Sequence, residues 1–311
     1  MANLRTMLEG LRDRTSPNGA GDPAKLRVVG QDPLPKGAVY GPSMVTLTGG
    51  TLDGWDLGGR GLLIKGSVSL SNILSRGVSA AGRTWPIEIT VAGDVEWAEG
   101  IEFTGTFGTE AKPSAVINAR QSGSGAGFRA GRLRRLRRSR FEGFPADHLK
   151  LLGVPDGGTL IEECYFGPQW ASVGSKTHAD VFTTVSALGR IHIRHCLVDW
   201  TDKGRPAGLN NIFRVVRNTG TTVPLDHVRI EENLCYFGLS QSFPIQVASG
   251  GRTGFNGPVE FIGNWIGAKL TPAGSRHYWH PSSSGLVARW SGNTDADTGA
   301  AIAAPPGAAT S

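Results

Sequence analysis

From residue 136 to residue 293 the chain returns repeatedly to one short pattern. An apolar residue is followed by two free positions, a Ser, Cys or Asn, one more free position and another apolar residue. The pattern reads LRRSRF from Leu136, IEECYF from Ile161, IRHCLV from Ile193, IEENLC from Ile230 and FIGNWI from Phe261. WSGNTD from Trp290 keeps the Asn and loses the last apolar position, and the successive starts lie 25, 32, 37, 31 and 29 residues apart. VSLSNI from Val68 and VAGDVE from Val91 are looser matches upstream. A fixed strand signature at irregular spacing is what a coil with variable loops produces. One apolar strand face is too small to fold alone, and stacked coils bury a continuous core.

A second strand follows in each coil: DHLKLL from Asp147, ADVFTT from Ala179, NNIFRV from Asn210 and FPIQVA from Phe243. Aligning Leu149, Val181, Ile212 and Ile245 as the buried column sets His148, Asp180 and Asn211 in one outward column. Lys150, Phe182, Phe213 and Gln246 then form the next, because strand side chains alternate faces.

Outside the repeat, Leu4, Met7, Leu8 and Leu11 fall at helical spacing behind Asn3, a suitable N-cap. TSPNGAGDP then reads as a linker. The expected organisation is a helix and linker over 1–22, acting as an end cap or as a dock onto a larger assembly. A β-helix follows over 23–300, and the low-complexity stretch 301–311 reads as a flexible tail.

Composition agrees with a β-rich chain. The 45 glycines among 311 residues are about twice the usual share. The opening residues carry no apolar signal-peptide core, so synthesis in the cytoplasm is expected, and no stretch approaches a membrane span. Cys164, Cys196 and Cys235 form no CxxC pair, which argues against a disulfide framework and a zinc site.

The repeat resembles the right-handed parallel β-helix of the pectate-lyase-like superfamily, which includes phage tailspikes and capsule depolymerases, over roughly residues 40 to 300. The resemblance implies an all-β, right-handed, single-stranded parallel β-helix with a short N-terminal helix. It also implies an inward ladder of small polar residues, here Ser139, Cys164, Cys196, Asn233, Asn264 and Asn293. Cys164 and Cys196 are thus read as ladder residues rather than nucleophiles. The tailspike branch further implies recognition, with or without cleavage, of a surface polysaccharide by a homotrimer on a virion or virion-like particle, docked through the N-terminal helix. A free-standing polysaccharide lyase and a non-catalytic structural spike are the alternatives.

Charge adds a register. The free positions hold Arg137 and Arg138, then Glu162 and Glu163, then Arg194 and His195, then Glu231 and Glu232. In parallel coils about 4.8 Å apart these pairs stack with alternating sign. The net charge of +6 is concentrated in FRAGRLRRLRRSRF. There Arg132, Arg134 and Arg135 read either as a solvated face or as a cradle for carboxylate, sulfate or phosphate groups. The run also suits nucleic acid, but no recognition motif accompanies it.

The candidate site is the second-strand face. His178, Asp180, Lys150 and Asp147 are the catalytic candidates, and His148, Asn211, Arg214, Phe182 and Phe213 the binding ones. Trp170 and Trp200 supply rings for sugar faces from flanking loops. A β-elimination would use Lys150, His178 or Arg214 as base, whereas hydrolysis would use Asp147 and Asp180 as the carboxyl pair. Two aspartates are a thin supply for Ca²⁺, so no metal or cofactor is expected.

Overall fold

The computed structural model describes residues 2–13, 25–78, 85–105, 115–122, 129–144, 147–151, 157–168, 179–184, 189–200, 209–216, 226–236, 243–249, 257–267 and 278–310. These residues form a parallel β-helix with one short helix, Ala2–Glu9. A broad sheet of 18 strands and a narrow sheet of nine carry the coils, together with a two-stranded pair.

The broad sheet stacks the repeat in the expected register. Leu136, Ile161, Ile193, Ile230, Phe261 and Trp290 lie opposite one another in one buried column. Each coil crosses this sheet as two strands separated by a corner, for example Thr159–Glu162 and Tyr165–Phe166. The corner residue is left-handed: Arg138, Glu163, His195 and Glu232 have φ of 48°, 54°, 53° and 52°, and Gly263 and Gly292 continue the column. A non-glycine residue there costs about 1–2 kcal/mol.

The ladder follows each corner. Cys196 N–H donates to Asn233 Oδ1 at 3.0 Å, Asn233 N–H to Asn264 Oδ1 at 3.1 Å, and Asn264 N–H to Asn293 Oδ1 at 3.0 Å. Their amide nitrogens reach back to Ile193 O and Ile230 O. A buried N–H on the residue just after the corner would be costly without a partner. An Asn in the next coil satisfies it and also donates, so the residue type follows from the corner geometry.

Upstream the register differs from the looser sequence matches. Leu70 lies opposite Ala98, and Ala98 opposite Leu136, so Gly54, Asn72 and Gly100 are the corners and Trp55, Ile73 and Ile101 fill the ladder position. The looser matches fall out of register because these coils fill the ladder position with apolar residues.

The charge stack forms as drawn, with Arg137 opposite Glu162, Glu162 opposite Arg194 and Arg194 opposite Glu231. Ion pairs join Arg138 to Glu99 and Glu163 and Arg194 to Glu162.

Two terminal segments depart from expectation. Residues 301–310 are not a free tail. Ile302 is buried, Ala301 bridges Thr294, Trp290 Nε1 donates to Ile302 O, and Ala309–Thr310 pairs with Arg289–Trp290. Low complexity concealed a terminal strand covering the last coil. The helix neither caps an open end nor stands free. Leu8 and Leu11 pack on Tyr165, Leu197, Leu234, Tyr236 and Ala296, along the outer face of the broad sheet. Arg5 donates to Tyr236 Oη and Ala296 O, and Arg12 pairs with Asp199. Those outward positions are apolar and would otherwise face water, which is why the helix lies there.

Candidate functional site

The narrow sheet sets the geometry of the candidate face. Leu149 pairs with Phe182, Phe182 with Phe213, and Phe213 with Ile245; one residue on, Lys150, Thr183, Arg214 and Gln246 form the neighbouring column. This is one residue away from the alignment through Val181 and Ile212. A one-residue slip turns a side chain to the opposite face, and it does so for Phe182 and Phe213. Both are buried, with rings stacked at 5.4 Å, in an aromatic spine running from Phe166 to Phe261. They are core residues and cannot be sugar platforms. ADVF and NNIF each offer two consecutive apolar residues, so alternation could not choose between them.

His148 and Trp200 also move inward. His148 is fully buried, its Nε2–H donating to Phe141 O at 3.1 Å, with its ring against Phe166 and Trp200. Burial lowers its pKa to about 3, outweighing that hydrogen bond, so the ring stays neutral. Trp200 is buried beside it. His178 and Trp170 lie outside the described residues.

Asp147, Asp180 and Asn211 climb the start of these strands as a hydrogen-bonded series. Asp180 N–H donates to Asp147 Oδ1 at 2.8 Å, Asn211 N–H to Asp180 Oδ1 at 2.9 Å, and Asn211 Nδ2 to Phe243 O. The two carboxylates converge on one hydroxyl, with Thr183 Oγ1 3.1 Å from Asp147 Oδ2 and 3.0 Å from Asp180 Oδ2. Arg214 Nη1 lies 3.7 Å from Asp180 Oδ2. Burial, then the Asp180 charge, pushes the Asp147 carboxyl up to about 7, against the pull of the Asp180 N–H, the Thr183 hydroxyl and Lys150. Asp147 is 7% exposed and Asp180 1%. These carboxyls are therefore too buried for contact with a bulky ligand.

Sequence reasoning missed Thr183. Asp180 and Thr183 are three residues apart, which in a flat strand sets them on opposite faces. Their contact means that the chain curves here, and alternation carries no trace of that.

The arginine run belongs to the broad sheet and does not join this face. Arg134 Nε and Nη2 meet both Asp94 oxygens, Arg132 lies 3.7 Å from Asp94, and Arg135 pairs with Glu162 at 2.6 Å. Each of these guanidiniums is paired with an acid of a neighbouring coil, Asp94 being shared by Arg132 and Arg134 and Glu162 by Arg135, Arg137 and Arg194, which argues for a structural face over an anion cradle. Among the described residues no group of three acidic, His or Cys side chains is arranged to hold a metal, and no helix is long and apolar enough to cross a membrane.

Fold and face together define the class as a parallel β-helix with a cationic column over buried carboxyls. Compared with protein-family models, curated proteins and solved structures, the chain matches none, so the class rests on strand pairing and side-chain geometry alone.

Proposed function

We propose that this β-helix recognises an acidic surface polysaccharide along the outward column of the narrow sheet. The observation that carries the reading is the alignment of Lys150 and Arg214, two coils apart, with Thr183 between them and Gln246 beyond. Two strand steps separate the cations by about 10 Å. A linear glycan lying along the solenoid axis can meet both through its acidic groups. Arg214 adds planar donors suited to carboxylate or sulfate.

Recognition is favoured over cleavage because Asp147, Asp180 and His148 are buried. For elimination chemistry, Lys150 is the base this reading offers. The virion-borne homotrimer remains part of the proposal through the resemblance of the repeat, and the helix, already seated on its own sheet, adds nothing to it. A structural spike is the second reading, supported by the Asp147–Asp180–Asn211 hydrogen bonds between coils.

An array of acidic and neutral polysaccharides tests the proposal, followed by chromatography of each retained glycan after incubation. Lys150→Gln with Arg214→Gln should weaken retention of acidic glycans about tenfold or more with the circular dichroism spectrum of the folded chain retained. Wild-type retention should also fall with salt. Equal retention of neutral and acidic glycans, or none, would refute it.

A further inference from the structure

Of the three cysteines in the chain, all free thiols, two meet. Cys164 and Cys196 follow equivalent corners of adjacent coils, and the strands on both sides of them are in register. Ile161 and Glu162 lie opposite Ile193 and Arg194, and Tyr165 and Phe166 opposite Leu197 and Val198. The two cysteines therefore stand directly opposite each other, and both are fully buried. Their sulfurs take the same orientation, each 3.3 Å from the carbonyl two residues earlier, Glu162 O and Arg194 O. Cys196 Sγ also leans into the Cys164 coil, 3.9 Å from Ile161 O, and its thiol is a hydrogen-bonding neighbour of the Cys164 thiol. Cys235 sits in a different buried column, opposite Val198 and Ile266.

Residues directly opposite in parallel strands lie about 4.8 Å apart, inside the Cα separation of about 4.4–6.8 Å that a disulfide spans. Their Cβ atoms share that spacing and need to approach by about half an ångström to reach the usual disulfide range. Little hydrogen bonding is lost with the thiol protons, because S–H is a weak donor.

We propose that Cys164 and Cys196 close to a disulfide that staples adjacent coils when the chain folds in contact with a small oxidising disulfide such as glutathione disulfide, and that the finished fold locks whichever redox state it captured. One cysteine thiolate attacks glutathione disulfide and displaces a glutathione thiolate. The second cysteine thiolate attacks the protein sulfur of the mixed disulfide, forms the inter-coil bond and displaces the other glutathione thiolate. Two electrons pass from the cysteine pair to the oxidant, and the two cysteine protons end on two glutathione thiols. Locking follows from burial. Only a thiolate exchanges with a disulfide, and burial is the leading cause that raises the Cys164 thiol well above its ordinary value. Exchange therefore takes place before the coils stack or after they part. The bond closes a loop between residues 32 apart and so constrains the unfolded chain, with the Cβ strain subtracting from the gain.

The test refolds the full chain from urea in two buffers, one with dithiothreitol and one with reduced and oxidised glutathione. Unfolding in iodoacetamide then counts free thiols, and mass spectrometry of peptides locates any bond. Dithiothreitol should leave all three thiols free. Glutathione should leave Cys235 alone free, with Cys164 joined to Cys196, the same β circular dichroism and a melting temperature about 3 °C higher. In urea, where no register exists, Cys196 should join Cys164 and Cys235 in comparable amounts, since separations of 32 and 39 residues cost nearly the same loop entropy. Dithiothreitol added to the native oxidised protein should leave the bond intact for a period that reduces it fully in urea. Three free thiols after oxidative refolding, a native bond to Cys235, or loss of the β spectrum in the linked chain overturns the disulfide. Cys235→Ala removes the competing thiol, and failure to link in that variant overturns it as well. A melting temperature no higher than that of the dithiol form overturns the staple, and equal reduction rates in native buffer and urea overturn the lock.

Discussion

Glu162 is the most informative place to perturb the charge stack. Its side chain is 3% exposed, yet it meets three guanidiniums: Arg135 at 2.6 Å, Arg194 at 2.8 Å and Arg137 at 3.4 Å. Glu162→Gln keeps the shape and removes the charge, leaving three cations from the two flanking coils to repel one another. Removing one partner of a fully buried pair costs about 3–5 kcal/mol. Here the arginines are 27% to 45% exposed and solvent screens them. A loss of about 2 kcal/mol is expected, a fall in melting temperature of about 3 °C for a chain of 311 residues. The assay is thermal melting at low salt over a pH series. Burial works to raise the Glu162 carboxyl, but hydrogen bonds from Arg135 and Arg194 hold it below the ordinary glutamate range. A depressed folded-state value means that the stabilisation is present above the unfolded value, about 4.3, and disappears as pH falls through the folded one. Wild type and variant should therefore converge in acid. A difference that is the same at about pH 3 and pH 7, or absent at both, would refute the reasoning.

Three further outcomes follow from the fold. Asn264→Ala removes an acceptor and a donor from the middle of the ladder and should cost about 2–4 kcal/mol in urea unfolding, whereas an unchanged midpoint would mean that water replaces the amide. Cys164 and Cys196 are fully buried, and burial leads the causes that raise the Cys164 thiol, so neither should react with alkylating reagents until the chain is unfolded; rapid labelling of the native protein would contradict the ladder assignment. Leu8→Asp should release the helix from Tyr165, Leu197 and Leu234 at a cost of about 2 kcal/mol and expose residues 2–13 to protease, and protection equal to wild type would place the helix elsewhere.

The sequence by itself determined whatever was encoded within a single coil and repeated in the next. The apolar column from Leu136 to Trp290, the ladder after it and the alternating charges were legible because each coil carries the same local demand: one buried strand face, one left-handed corner and one polar partner for the N–H that follows the corner. Tyr165, Leu197, Leu234 and Trp265 also stood in the sequence as outward apolar residues, a sign that something must cover them, but the pattern could not name the N-terminal helix as the cover. The tertiary structure decided matters that depend on neighbours distant in the chain. Consecutive apolar residues at Val181–Phe182 and Ile212–Phe213 left two registers open; all four are buried in the folded chain, and strand pairing sets Leu149 opposite Phe182 and Phe182 opposite Phe213. That choice also put Lys150 and Arg214 in one outward column. The meeting of two aspartates on the Thr183 hydroxyl depends on how adjacent coils curve past each other, and no spacing within one strand encodes that.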